Sequence, residues 1–188
     1  MGSYRILPGD ATKPQILDNA KGIMIPHVCN NIGGWGSGFV LAINEAFGNK
    51  AMNAYRRWHS NGNFDMDLRA DDDFGYSDTA FVLGSVQYVR IDKPKYLGRP
   101  VTIANMIGQH KTIPHEAKPI RYAALATAMD EVGITSHANN SNYEIHAPMF
   151  GSGLAGGNWE IIKSLIHEIW VDKYDLDVTI YEFEQSKE

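Results

Sequence analysis

Short apolar runs and stretches of helical period take turns along this chain, and that alternation constrains its fold more than any other feature. Tyr4–Leu7 alternates and stops at Pro8-Gly9-Asp10, which reads as an opening strand and a turn. Gly22–Cys29 is nearly continuous in apolar residues, as a strand buried on both faces would be. Phe39, Val40, Ile43 and Phe47 then fall at helical spacing, with Gly48-Asn49 as the stop. Ala51–His59 predicts another short helix, with Met52, Tyr55 and Trp58 on one face. Further strands are expected over Phe81–Ile91, Arg99–Ile107, Tyr143–Pro148 and Leu176–Phe183. Helices are expected over Pro119–Val132, with a proline near the start, and over Asn158–Val171. The buried stripe of the last helix would be Trp159, Ile162, Leu165, Ile166 and Ile169. The series predicts an α/β fold whose central sheet is covered on both faces. At 188 residues the chain suits one domain, 1–188, with no internal repeat or linker, and can bury a core without staples.

Composition removes several classes of function. A formal charge of -5 argues against a nonspecific nucleic-acid or membrane-surface binder, because phosphate backbones need a basic patch. A small anion remains possible, held by backbone N–H groups. The single cysteine, Cys29, excludes an internal disulfide framework and a cysteine-rich zinc site, and fits a cytoplasmic setting. No apolar run approaches the ~20 residues of a membrane span, and no secretory signal is expected. Asp71-Asp72-Asp73 and Asp78, in the stretch Asn61–Asp78, match no Ca²⁺ loop and read as a solvated acidic loop. No metal and no cofactor are expected, and the chain is expected to be a monomer.

Two glycine-rich loops each follow an expected strand and precede an expected helix. The first runs from Pro26 to Phe39 (PHVCNNIGGWGSGF), the second from Phe150 to Trp159 (FGSGLAGGNW). In an open α/β sheet, ligands bind at the carboxyl ends of the strands, where helix N-termini offer free N–H groups. Two such loops on one rim could enclose a diphosphate. Neither is a P-loop, since no Gly-Lys-Ser/Thr follows, and neither has the Rossmann spacing.

Taken together, these features resemble a macro domain, the ADP-ribose-binding α/β module, over almost the whole chain. Gly9-Asp10-Ala11-Thr12 looks like the family's opening motif. His27-Val28-Cys29-Asn30-Asn31-Ile32-Gly33-Gly34-Trp35-Gly36-Ser37-Gly38 is similar to its first ribose and phosphate loop. Gly151–Gly157 is similar to its second, and Val178-Thr179-Ile180-Tyr181 to its closing strand. The His-x-Cys-Asn…Trp-Gly-x-Gly form is most similar to the ADP-ribose 1''-phosphate phosphatase branch, the yeast type with its bacterial and phage relatives. Ser37, Asn31 and Ile32 depart from that pattern. The resemblance implies a three-layer α/β/α fold with a mixed sheet, a ligand that is ADP-ribose or ADP-ribose 1''-phosphate, and phosphatase activity. It implies that Asp10 accepts a hydrogen bond from the adenine amino group, helped by the Ala11 N–H. Asn30 and Asn31 would lie by the distal ribose. Gly34, Trp35, Gly36, Ser37, Gly38 and Phe39 would wrap the diphosphate with Gly151, Ser152, Gly153, Leu154, Ala155 and Gly156. Tyr181 or Phe183 would flank the adenine, since aromatic faces stack on bases.

Removing a phosphate needs an activated nucleophile or water and a proton for the leaving oxygen. His27 and His110 are the candidates, because histidine titrates near neutral pH, with Asn30 beside the reacting ribose. Each histidine could instead be a satisfied structural group. His59, His115, His137, His146 and His167 read as surface or core. Cys29 sits in an apolar strand and reads as packing, Trp35 as a wall of its loop, and Ser152 as a donor to phosphate. Two other functions stay open: a reader or sponge of ADP-ribose without turnover, and an ADP-ribosyl hydrolase. The hydrolase branch of the family uses a lysine and an aspartate where this chain has Gln109 and Ala155.

Overall fold

A computed structural model describes residues 1–17, 20, 22–61, 80–95, 97–138 and 143–183. The acidic stretch 62–78, with Asp71, Asp72, Asp73 and Asp78, lies outside the described residues. Among the described residues, six strands and four helices follow the expected alternation: β1 (Tyr4–Pro8), β2 (Gly22–Asn30), α1 (Phe39–Phe47), α2 (Lys50–Asn61), β3 (Val86–Ile91), β4 (Val101–Gln109), α3 (Tyr122–His137), β5 (Tyr143–Pro148), α4 (Trp159–Leu165, continued by a π-helical segment Ile166–Lys173) and β6 (Val178–Glu182). The strands form one sheet in the order β1-β6-β5-β2-β4-β3. Every neighbouring pair is parallel except β3 with β4, so the sheet is mixed.

Strand alternation sends Ile23 and Ile25 to one face and Met24 to the other. On the first face they pack with Ile43 of α1, Tyr55 and Trp58 of α2, and Ile103 of β4. On the second, Met24 and Met106 pack with Leu125 and Met129 of α3 and with Ile162 and Trp170 of the last helix. Helices cover both faces, which makes the three layers of an α/β/α fold. Among the described residues no helix is long and apolar enough to cross a membrane.

Three boundaries differ from the sequence reading, each for a tertiary reason. The strand expected over Phe81–Ile91 begins only at Val86. Gly84, at φ 93°, turns the chain, and its N–H reaches the Ile107 carbonyl. Helix α3 starts at Tyr122 rather than at Pro119, because Ile120 is held in a bridge to Gln109 and the Arg121 N–H bonds to the Gly108 carbonyl. It then runs past Gly133 to His137, since the missing side chain there makes room for the Tyr174 ring.

The last helix corrects the expected stripe. Ile162, Ile166, Trp170 and Val171 are buried, whereas Trp159, Leu165 and Ile169 are only partly covered. From Ile166 the helix takes the wider π form, which shifts the inward face and turns Trp170 into the core. The Trp170 indole N–H donates to the Met129 carbonyl at 2.8 Å, joining α3 to the last helix. Trp170→Ala is expected to cost ~3–5 kcal/mol of stability, read as a lower urea midpoint at constant slope. Trp170→Phe should cost less, because it fills most of the volume and loses only the hydrogen bond.

Candidate functional site

The parallel strands end on one rim of the sheet. At its centre lie β2 and β5, whose chains depart to opposite faces: β2 into the first glycine loop and α1, β5 into the second glycine loop and α4. A crevice opens where neighbouring strands diverge in this way. It holds a cleft of about 780 Å³. Asp10 and Ala11 line it from the end of β1, and His27 from β2. Ser37, Gly38 and Phe39 come from the first loop, Gly151, Gly153, Leu154 and Ala155 from the second, and Tyr181 and Phe183 from the end of β6. The loops meet across it, since a β-carbon built on Gly38 would lie 3.7 Å from Leu154 Cδ1.

Both loops offer free amide donors. Gly38 sits at φ 77° and ψ −149°, a conformation that glycine reaches at little cost, and this turns the chain into α1. Among the described residues the N–H groups of Ser37 to Val40 and of Gly151 to Ala155 take no hydrogen bond. The second loop keeps its shape by bonding to itself. The Gly157 N–H meets the Gly151 carbonyl at 2.8 Å, and the Gly156 N–H meets the Gly153 carbonyl at 2.9 Å. Any side chain at Gly157 would drive into the Gly151 carbonyl. Rows of unpaired N–H groups at a helix start are an anion site. Among the described residues they have no help from side-chain cations: the formally charged side chains lining the cleft there are Asp10 and Glu45. Among the described residues, no three His, Cys, Asp or Glu side chains gather to hold a metal.

This topology has counterparts among solved structures. No protein-family model matches the chain, and no curated protein matches it by sequence. A protein of unknown function from Bacteroides thetaiotaomicron is 33% identical, with a TM-score of 0.71 over 96% of this chain and 98% of that one. A macrodomain protein from Streptomyces coelicolor is 36% identical, with a TM-score of 0.66 over 96% of this chain and 99% of its own. The chain belongs to the macrodomain family. At fold level alone, Thermosipho africanus DarTG in complex with ADP-ribose also matches: 11% identity and a TM-score of 0.64, over 100% of this chain and 43% of that one.

In this macrodomain several residues expected at the ligand are committed elsewhere. The Asn30 side chain braces its own loop. Its Oδ1 accepts from the Ile32 N–H (3.1 Å) and the Gly34 N–H (2.9 Å), its amide donates to the Gly34 carbonyl (2.8 Å), and the Tyr55 hydroxyl donates to the Asn30 backbone carbonyl (2.5 Å). It is buried and does not line the cleft. Trp35 lies beneath the loop, its indole N–H donating to Asn44 Oδ1 at 3.1 Å and its ring between His27 and Tyr55. The Ser152 hydroxyl turns back to the Met149 carbonyl at 3.1 Å. Gly34, Gly36 and Gly156 belong to the loops without lining the cleft. Tyr181 is 3% exposed and supports the wall, whereas Phe183 is 73% exposed at the mouth.

His27 is in the cleft but held from behind. The Ala54 carbonyl can only accept, so Gln87 gives it an amide N–H at 3.0 Å. Gln87 Oε1 then accepts from the Asn105 amide at 3.0 Å, and Asn105 Oδ1 accepts from His27 Nε2 at 2.6 Å. The chain of bonds fixes the Nε2–H tautomer. Burial drives the His27 pKa down to about 4, against the raising effect of the Asn105 bond, so the ring is neutral at pH 7. The buried Cys29 thiol is pushed well up by burial and is no nucleophile.

His110 stands outside the cleft walls, at the turn after β4. Asn31 links it to the first loop. The Asn31 amide donates to His110 Nδ1 at 3.1 Å, and Asn31 Oδ1 accepts the Lys111 N–H at 2.8 Å. Lys111 takes a left-handed backbone (φ 59°), uncommon for a side-chain-bearing residue. With Nδ1 accepting, the Nε2 of His110 carries the proton.

Leu41, Ala42, Glu45 and Gln109 also line the cleft, and the sequence reading missed them in that role. The first three follow Gly38 at helical spacing, so the period of α1 was the available signal.

The buried histidines make stability depend on pH. Unfolded, His27 titrates near 6.5; folded, near 4. Below pH 6.5 the unfolded chain binds a proton that the folded one refuses. Stability therefore falls by up to about 1.4 kcal/mol per pH unit until the pH passes the folded value. His146, also lowered by burial, acts in the same direction. Urea midpoints should drop between pH 7 and pH 4, and His27→Gln, which can still donate to Asn105, should flatten part of that drop.

Proposed function

We propose that this macrodomain binds ADP-ribose in the cleft and removes the phosphate of ADP-ribose 1''-phosphate. The observation that carries the binding half is the pair of glycine loops, with their free N–H groups flanking a cleft that has Asp10 at one end. Asp10 Oδ1 is engaged by the Thr12 N–H (2.9 Å) and hydroxyl (2.8 Å), which leaves Oδ2 for an exocyclic amino group. The diphosphate lies across Ser37 to Val40 and Gly151 to Ala155, and the distal ribose lies toward Asn31 and His110. Support comes from the shared fold with DarTG, which was solved with ADP-ribose.

The phosphatase half rests on the Asn31–His110 pair at the start of the first loop, just past β2. A fixed imidazole Nε2–H there can donate to the terminal phosphate as water attacks phosphorus. The bond from phosphorus to the ribose oxygen breaks, and the proton of the attacking water ends on that oxygen. A second reading, binding without turnover, is favoured by the commitments of His27 to Asn105 and of Asn30 to its loop. Those bonds leave the interior of the cleft without a histidine that exchanges protons near pH 7.

Calorimetry with ADP-ribose and phosphate release from ADP-ribose 1''-phosphate separate the two. Asp10→Ala should weaken binding ~10–100-fold. His110→Ala should lower kcat ~100-fold while leaving ADP-ribose affinity within ~3-fold. Binding without phosphate release makes the protein a reader, and absence of binding overturns both readings.

Asn30 and Asn31 should also part company. Asn30→Ala strips the Ile32 and Gly34 amides of their acceptor and should cost ~2–3 kcal/mol of stability. Asn31→Ala should lower turnover with little effect on the urea midpoint.

A further inference from the structure

Behind the Asp10 end of the cleft, the sheet face is polar where a core would be apolar. Glu144 and His146 of β5, Thr179 and Tyr181 of β6, and Arg5 of β1 project on one side, by strand alternation and register. Glu144, His146, Thr179 and Tyr181 are all buried there. What lies against them is the irregular segment that follows β1, whose backbone polar groups need partners. The sheet supplies them. The Gln15 N–H donates to the Tyr181 phenol oxygen at 2.7 Å, and the Gln15 carbonyl accepts from Arg5 at 2.7 Å. Arg5 in turn donates to the Thr179 hydroxyl at 2.6 Å, and the Leu17 N–H meets the Glu144 carboxylate at 3.1 Å.

The bonds have a direction. Tyr181, having accepted from Gln15, gives its own O–H to His146 Nδ1 at 3.1 Å. His146 Nε2 then holds the ring proton and donates to Glu144 Oε2 at 2.9 Å. Every group is satisfied with a neutral imidazole and an ionised carboxylate. The far side of Tyr181 faces the cleft, and a β-carbon on Gly9 would lie 3.6 Å from its ring. So one buried relay fixes both the wall and the chain that carries Asp10.

We infer that His146 and Glu144 are positioning residues for the base end of the cleft, holding Tyr181 and the Asp10–Leu17 segment in place. The identity of the bound base rests on the ADP-ribose reading above. Protonating His146 places a hydrogen on Nδ1, where the Tyr181 O–H already points, so the phenol must turn away and its hold on Gln15 loosens. Glu144 on the same strand favours that proton; Arg5 on β1 and burial oppose it, and the histidine lies below its ordinary value. Among the described residues of the covering segment, the groups that bond into the relay are the backbone N–H groups of Gln15 and Leu17.

The test uses amide exchange in the ligand-free protein together with ADP-ribose affinity between pH 5 and pH 8. His146→Leu should speed exchange at Gln15 and Leu17 ~10–100-fold, leave β2 and β4 amides unchanged, and weaken binding ~10-fold. His146→Gln can accept from Tyr181 and donate to Glu144. It should restore both, and abolish the loss of affinity expected of the unsubstituted protein toward pH 5. Unchanged protection at Gln15 and Leu17 in His146→Leu, or a persisting acid loss in His146→Gln, overturns the inference. If His146→Leu does not fold, Tyr181→Phe should expose Gln15 alone, and unchanged Gln15 exchange again overturns it. Failure of the unsubstituted protein to bind ADP-ribose would sink the functional reading, while the amide result still decides the positioning role.

Discussion

Everything at the functional end of this molecule depends on the parallel pairing of β2 with β5, Gly22 beside Tyr143 and Met24 beside Ile145. Two strands far apart in sequence become neighbours, yet the chain leaves their carboxyl ends toward opposite faces. The backbone cannot fill the space between two departing loops, so a crevice is left there. Glycine then decides what the crevice can hold. At Gly38 and Gly151 the positive φ lets the chain turn sharply and leaves a row of N–H groups uncommitted. An anion can be held there although the chain is acidic and the cleft lining includes no lysine or arginine among the described residues.

Two buried polar chains have the opposite character, because each of their groups is engaged. The bonds from Ala54 through Gln87 and Asn105 to His27 run beneath one side of the cleft, and those from Gln15 through Tyr181 and His146 to Glu144 run beneath the other. In each, a backbone group that can only accept or only donate sets the direction of every later bond. Buried polar groups are costly unless satisfied, so such chains fix one geometry. The cleft thus sits between two rigid supports, with its own amides open.

Much of this was legible in the sequence. The alternation of elements, the two glycine loops and the opening Gly9-Asp10-Ala11-Thr12 located the rim and most of the lining. The assignments that shifted were those in which a side chain had a partner within the fold. Asn30 looked like a ribose ligand, but the Ile32 and Gly34 amides of its own loop take its side-chain oxygen. Ser152 looked like a phosphate donor and is turned to Met149. His146 read as one histidine among several with nothing to mark it, since its partners Glu144 and Tyr181 meet it only across the sheet. Trp170 was missing from the expected stripe because a regular period was assumed where the helix widens.

What the sequence determined by itself was periodic and local: which stretches are strands or helices, and where glycine permits a turn. Those follow from the spacing of apolar side chains and from backbone sterics, both properties of neighbours along the chain. Only the tertiary structure decided which polar atoms stay free to meet a ligand. A hydrogen-bonding group is available only if nothing nearer has taken it, and what is nearer depends on strand order, register and the face to which each helix returns.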